Sequence, residues 1–574
     1  MVPIRNRQRF FHPSTPLASF ALFLLTATAL LAQFNLGTIT GTVLDPSGSA
    51  VAGCKVTIVS LTNASERTVE TNSSGLFAVP SLAADTYQVT VEASGFQKAA
   101  ARVTVSVDQT VTSDFRLAIG SVSEEVQVSE QADQLQVEKD THEISQVFAA
   151  KDLEELPANG RSFISLADLT AGAGRAGDVT SGPLVTFATT GNEMILAGQL
   201  VGSTHFLQDG VVNMNILTAT ANIVPSIESI MEVSVESSGM SAKFPSPGLV
   251  NVISKRGGNS IHGTVYDYLS NNFFNARNFF AASAPAYRNN QYGANLGAPI
   301  VKNKLFTFFD YSGQRTSTAN VVLARVPTAA EQQGNFGATT IYDPSTYNAG
   351  AGTISPFPSN TIPSSRISAF ATQYLQYYLP ANTPLVNGIN FNQNLPTKLN
   401  PETYLGRLDY NLSSKDTLSG QIQTTDSSAL GNSFIPEVDL ANTKSGWIGY
   451  MQSIHVFSPT VVNVARWGYN RSNIFIAPAK MGTEDFAQLF GLQNLTEPKA
   501  TSQPPIATIS GITADGAGTY PMGGTQNLFQ YADELNWTKG EHQFSFGVEV
   551  DRLQMNNLWG TLDGGTYTFN GLFT

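Results

Sequence analysis

Cysteine is almost missing from this chain: 574 residues hold one, Cys54. An internal disulfide is therefore excluded, and no oxidised scaffold carries the fold. Its setting, Gly53-Cys54-Lys55-Val56, reads as the start of a strand, where a free thiol behaves as a small packed hydrophobe. A lipoprotein cysteine would stand directly behind an export signal, and this one does not. Charge is sparse too, with 13% Asp, Glu, Lys and Arg, against roughly a quarter in ordinary globular proteins. The net charge is -12, and no basic run argues for nucleic acid, so none is expected as a partner. Histidine is scarce. His12, His142, His205, His262, His455 and His542 show no metal-binding spacing to one another or to cysteine, and His142-Glu143 lacks the second histidine of a zincin helix. There is no phosphate-binding Walker loop, no dinucleotide fingerprint and no Gly-x-Ser-x-Gly turn. The expectation is a chain with no catalytic residues, no cofactor and no bound metal. Past residue 31, no apolar stretch is long enough to cross a bilayer as a helix.

What is abundant points elsewhere. There are 48 Gly, 34 Phe and 18 Tyr, and aromatics reach 10%. Low charge with many aromatics and turn formers indicates a mainly β protein. A mean hydropathy of -0.05 is compatible with a transmembrane barrel, whose strands alternate apolar and polar residues and average out. The N-terminus has the three parts of a secretory signal: Arg5, Arg7 and Arg9, the apolar run Leu17 to Leu31, then small residues at Ala27, Ala29 and Ala32. A signal peptide over residues 1–32 is expected, with the mature chain starting at Leu30 or Gln33.

Short, evenly spaced strands fill residues 33–118. They include Ile39 to Val43, Lys55 to Val59, Leu76 to Val79, Tyr87 to Val91 and Val103 to Val107, with turns at Asp45 to Gly48 and Asn72 to Gly75. This pattern predicts a small antiparallel β-sandwich. A polar linker follows over residues 119–140. Residues 141–256 mix signals: Phe163, Ile164, Leu166 and Leu169 have helical spacing, while Ile230 to Val235 and Val250 to Ile253 read as strands. A compact α+β domain is expected there.

From residue 257 to 574 the alternation lengthens. In Tyr404 to Leu412, Leu405, Arg407, Asp409 and Asn411 share one face. In Gln543 to Asp551, Phe544, Phe546, Val548 and Val550 share one face and Ser545, Gly547 and Glu549 the other. Tight turns near Lys302-Asn303, Ser413 to Lys415, Ser458-Pro459 and Thr538 to Gly540 alternate with much longer connections. Short turns on one side and long loops on the other are the habit of outer-membrane barrels. About nine strands are expected, with Thr566 to Phe569 as the start of a tenth.

The first domain resembles the carboxypeptidase regulatory-like domain, a transthyretin-like sandwich. The likeness rests on Gly41-x-Val43-x-Asp45-x-x-Gly48, the Thr71 to Phe77 turn, Tyr87-x-Val89-x-Val91 and Gly95-Phe96. The whole layout resembles a TonB-dependent receptor of the Oar-like type. The residues that carry this are Leu156-Pro157-Ala158-Asn159-Gly160-Arg161, Gln208-Asp209-Gly210-Val211, Pro225 to Glu232, Gly248 to Lys255, Asn275 to Phe280 and Asn290-Gln291-Tyr292-Gly293. Each is weak alone; together they are specific. Lys243-Phe244-Pro245-Ser246-Pro247 departs from the pattern, since the family has a Tyr-Gly there. The resemblance implies that residues 141–256 form a plug inside a transmembrane barrel. Such receptors close their barrels with roughly 22 strands, so a fragment of a longer product is expected. An unclosed sheet would leave edges that lipid does not tolerate.

The resemblance also implies an energising partner of the TonB type. Glu125-Val126-Gln127-Val128-Ser129 resembles a TonB box, which would bind by adding a strand to a sheet edge of the partner; a terminal strand or a plain linker fits the same residues. Two functions are open: a transporter that moves a ligand across the outer membrane, and a surface binding or adhesion protein that recognises glycans or matrix without transport. The ligand is unidentified, with an oligosaccharide and a peptide as the classes in view. Outer-membrane lipid is the expected surrounding of the barrel, and the periplasm that of the N-terminal domains.

Overall fold

The computed structural model describes residues 36–120, 127–129, 144–156, 159–175, 194–196, 198–199, 203–218, 220–238, 243–244, 246, 248–274, 276, 286–492, 499–514, 520–540, 542–560 and 564–569. The expected signal peptide and Glu125 and Val126 lie outside these residues.

The alternation in the first domain folds as read. One sheet has the order β4-β1-β7, with β8 also on β1; the strands are β1 (Gly37–Leu44), β4 (Leu76–Leu82), β7 (Thr110–Thr112) and β8 (Phe115–Arg116). The second sheet runs β3-β2-β5-β6-β9, from β2 (Lys55–Ser60), β3 (Glu66–Glu70), β5 (Asp85–Glu92), β6 (Ala99–Val105) and β9 (Gln127–Ser129). Val56, Ile58, Val89 and Val91 are fully buried between the sheets, together with Cys54. The Gly41 to Gly48 motif has a physical basis. A side chain at Gly41 would collide with the Ser113 carbonyl and the Phe77 ring. The Asp45 carboxylate accepts from the Ser47 hydroxyl at 2.6 Å and from the backbone N–H of Ser47 and Ser49 at 2.8 and 2.9 Å. The Ser47 hydroxyl, then the backbone donors, hold that carboxyl below its ordinary range.

The central domain is a five-stranded mixed sheet of order β10-β13-β14-β11-β12, from β10 (Ile144–Ala149), β11 (Thr204–Gln208), β12 (Val211–Val212), β13 (Ile230–Ser238) and β14 (Gly248–Ser254). Two short helices, α1 (Ala150–Glu155) and α2 (Phe163–Ala167), pack on it. Phe163, Ile164, Phe206, Val233 and Val250 form the core. The hairpin β11-β12 turns at Asp209-Gly210, both at positive φ (48° and 77°), the left-handed pair that a two-residue hairpin of matching twist requires.

The third part is a ten-stranded antiparallel wall: β15 (His262–Asn271), β16 (Tyr287–Val301), β17 (Leu305–Ala324), β18 (Phe391–Leu399), β19 (Glu402–Asn411), β20 (Asp416–Gly431), β21 (Leu440–Ser458), β22 (Val461–Pro478), β23 (Met522–Lys539) and β24 (His542–Trp559). Strands β18 and β19 share one place, each pairing with part of β17 and of β20, so the wall has nine positions. Thr566–Phe569 does not continue it. That strand pairs in parallel with Ile506–Ile509, away from the wall, which corrects the expected tenth strand. Several strands are far longer than the roughly 9–11 residues that a membrane crossing needs. Strand β21 has 19 and β22 has 18, a length of about 60 Å where the apolar band of an outer-membrane barrel is about 25 Å tall. The surplus lies beyond the apolar band and carries the long connections.

Burial along the wall is inside out. Gln421, Gln423, Arg466, Asn470, Ser472, Gln526 and Gln530 are buried, while Ile422, Met451, Trp467, Leu408 and Tyr531 are exposed. An apolar face turned outward along strand after strand is a lipid-facing surface.

Candidate functional site

The buried polar face of the wall meets the central domain, and that seam is the site. Arg407 on β19 is the centre of its charged part. It donates Nε and Nη2 to the two carboxylate oxygens of Asp409 at 2.9 and 3.0 Å, and Nη1 to Asp209 of the β11-β12 turn at 3.1 Å. Ser254 donates both its hydroxyl (2.7 Å) and its backbone N–H (3.1 Å) to Asp209, and Arg466 on β22 donates to the Asp209 carbonyl at 3.0 Å. Arg407, Asp209 and Asp409 are all buried. Removing one member would leave an uncompensated charge in a poorly solvated place.

Neutral bonds extend the seam. Gln530 accepts from the Val212 N–H at 2.7 Å, and Gln526 from the Ile216 N–H at 3.0 Å. Asn215 donates to Ser472 at 2.9 Å, Asn222 to Asn470 at 2.7 Å, and Asn470 to the Met214 carbonyl at 2.8 Å. Gln208 donates to Gln423. Apart from Gln208, sequence reading did not single out these glutamines and asparagines. Part of the signal was present: Gln421 and Gln423 share one face of β20, and Asn470 and Ser472 one face of β22.

The plug-like motifs meet here. In Leu156 to Arg161, the Gly160 carbonyl accepts from Gln291 of β16 at 2.8 Å; Arg161 pairs with Glu228 and lies 3.6 Å from the centre of the Tyr268 ring. Pro157 and Ala158 lie outside the described residues. In Pro225 to Glu232, Ser226 donates to Asp310 of β17 at 3.2 Å and the Glu228 carbonyl accepts from Asn295 at 3.1 Å.

Two hollows flank the seam. On the side of the long connections, a cleft of about 410 Å³ opens between the wall and the central domain, bordered by Arg161, Asn222, Gln291, Gln314, Thr425 and Lys444. The long connections above it share an apolar core that includes Tyr374, Tyr378, Phe434, Phe486 and Phe490. On the side of the short turns, the sandwich is docked. The Val107 N–H donates to Glu232 of β13 at 2.8 Å, Lys243 pairs with Asp108 at 2.6 Å, and Asn536 of β23 donates to the Ser81 hydroxyl at 3.1 Å. Burial pushes the Glu232 carboxyl up, against the pull of Val107 and Ser106.

Of the candidate box, Gln127–Ser129 form β9, paired in parallel with β6 at the edge of the sandwich: Ala99 opposite Gln127, Ala100 opposite Val128, Ala101 opposite Ser129. Glu125 and Val126 lie outside the described residues. Among the described residues, no group of three or more His, Cys, Asp and Glu side chains is placed to hold a metal ion.

Residues 253–574 match the family described as outer membrane beta barrel domain, and residues 38–118 the carboxypeptidase regulatory-like domain. The chain is similar to the TonB-dependent transporter Oar of Myxococcus xanthus, 26% identical over 324 residues, which is 52% of this chain and 29% of that protein. The match thus spans under a third of the relative's length. Similar solved structures include the outer membrane transporter YddB from Escherichia coli, with a TM-score of 0.46, 10% identity, and coverage of 72% of this chain and 48% of that one. Another is the alcaligin outer membrane receptor FauA from Bordetella pertussis, with a TM-score of 0.37, 9% identity, and coverage of 73% and 57%. With more than half of its length matched, and with an apolar face turned outward along the matched strands, this chain belongs to the outer membrane beta barrel domain family and resides in the outer membrane.

Proposed function

We propose that the protein binds a ligand at the cleft on the long-loop side and moves it across the outer membrane, driven by a TonB-type complex. The observation that carries this reading is the chemistry of the seam. The plug is held to the wall mainly by side-chain hydrogen bonds and the Arg407 ion-pair cluster. Such contacts can exchange with water as the plug shifts, whereas a continuous apolar interface would expose its whole area at once. The cleft offers amides, hydroxyls, the Lys444 ammonium and the Arg161–Glu228 pair, a set suited to an oligosaccharide or a peptide.

Energy would enter through Glu125 to Ser129. To add a strand to the partner's sheet, Gln127–Ser129 would first leave β6, exchanging one set of backbone hydrogen bonds for another. The Val126→Pro change removes a backbone donor and fixes the local angle. It is expected to abolish energised uptake while leaving ligand binding at the cell surface intact. Uptake at the parental rate would reduce the segment to a linker. Ligand retention that is indifferent to the proton-motive force would favour the adhesion reading instead.

A further inference from the structure

On the side of the short turns, a cavity of about 500 Å³ lies where sandwich, plug and wall meet. In a chain of net charge -12, its lining is cationic: seven Lys and Arg side chains against three carboxylates. Two of those carboxylates, Asp209 and Asp409, are already engaged by Arg407. The third, Glu66, is exposed.

Two arginines make no ion pair with a carboxylate among the described residues, although Arg256 lies within electrostatic reach of Asp409 and Glu232. Arg67, on β3 of the sandwich, donates only to the carbonyls of Pro80 and Ser81, at 3.3 and 3.5 Å. Burial lowers its hold on the proton. Arg256 follows β14 of the plug, and its Nε is buried with no acceptor. Both guanidinium groups act on the hydroxyl of Tyr87, which lines the same cavity and donates to the Ala83 carbonyl at 2.7 Å. Cationic forks that line one cavity from two domains, neither bonded to a carboxylate, leave the buried Arg256 Nε–H without an acceptor, a costly deficit. A planar guanidinium meets a carboxylate or a phosphate through paired hydrogen bonds.

We propose that this cavity binds a small oxyanion, a phosphate or carboxylate group, held between Arg67 and Arg256. Bound there, the anion ties the sandwich to the plug and wall, so docking of the periplasmic domain depends on it. The lysines at the short turns, Lys302, Lys304 and Lys415, draw anions to the cavity.

The test is calorimetric titration of the full chain in detergent with inorganic phosphate and, separately, with citrate. Saturable binding of either probe is expected, and the tighter one identifies the oxyanion. Arg67→Gln and Arg256→Gln should each weaken it by about tenfold or more. Lys98→Gln, at a surface ion pair with Glu92, should leave it unchanged. In a Cys54→Ala background, the pair Ser81→Cys and Asn536→Cys should cross-link faster with the anion present, and lose that response when Arg67→Gln is added. If Arg256→Gln does not assemble, Arg67→Gln carries the same test from the sandwich. Absence of saturable binding by both probes, or parental affinity in the glutamine variants, overturns the proposal.

Discussion

In the sandwich, Val56, Ile58, Val89 and Val91 point inward while Lys55, Thr57, Gln88 and Thr90 meet water; in the wall, Gln421, Gln423, Asn470 and Gln530 point inward while Ile422, Met451 and Trp467 face out. Both regions obey the same period of two, because successive side chains of any strand alternate. They bury opposite halves of it, because one has water outside and the other lipid. The period makes the strand, and the chemistry of the outward half names the solvent. One substitution should therefore act oppositely in the two regions, according to the face it lands on.

Arg407→Ala should have the largest effect on the seam. It strands Asp209 and Asp409 as buried carboxylates, at a cost of about 3–5 kcal/mol. The expected outcome is a loosened central domain, read as ion leakage through the complete protein in bilayers at lower urea than for the parent. An unchanged leak would mean that the cluster does not hold the central domain to the wall.

Arginine scanning sharpens the comparison next. Phe546 lies opposite Leu535, and Ser545 opposite the buried, lumen-facing Asn536. Phe546→Arg should cost about 2–4 kcal/mol near the bilayer midplane, and Ser545→Arg much less. The difference is visible as loss of heat-modifiable gel mobility in the first variant only. In the sandwich the rule inverts: Val89→Arg should expose the domain to protease, while Thr90→Arg should not. Equal loss at Phe546 and Ser545 would put the strand between two dry faces.

The smallest effect concerns pH. The folded-state value of Glu232 is raised by burial, so its neutral form is the one that suits the docked domain. Its contribution is fully present below the ordinary carboxylate value and is lost as pH rises through the elevated one. Cross-linking between Ser81→Cys and Asn536→Cys, taken relative to the same pair in Glu232→Gln at each pH so that the rise in thiolate cancels, should therefore fall as pH climbs through that window. A steeper dependence in Glu232→Gln would assign the effect elsewhere.

Much of the fold was legible because alternation is local. The sandwich strands, the helix at Phe163 and the short turns of the wall could all be read from spacing. The Asp209-Gly210 turn was legible as a motif, but its Asp is tied to Arg407, 198 positions away, and no local pattern reports such a pairing. Thr566 to Phe569 misled because a four-residue apolar alternation suits any sheet, and its partner at Ile506–Ile509 belongs to a loop. The wall strands run past a membrane crossing because their pairing continues toward the long connections, which no local alternation reports. Of the seam amides, Gln421 and Gln423 could have been found by asking which polar residues recur at every second position; Gln526 and Gln530 have the buried Leu528 between them on the same face and show no such run.

The most direct test of the inverted wall is depth-resolved fluorescence quenching on β21. Met451 is 60% exposed and points outward, while its neighbour Gln452 borders the inner cavity. Single cysteines at these two positions, in a Cys54→Ala background, are labelled with a small fluorophore and reconstituted in bilayers of brominated-chain lipid. Strong quenching is expected at Met451→Cys and little at Gln452→Cys. Equal quenching at both positions, or stronger quenching at Gln452→Cys, would contradict the assignment of the outward face to lipid.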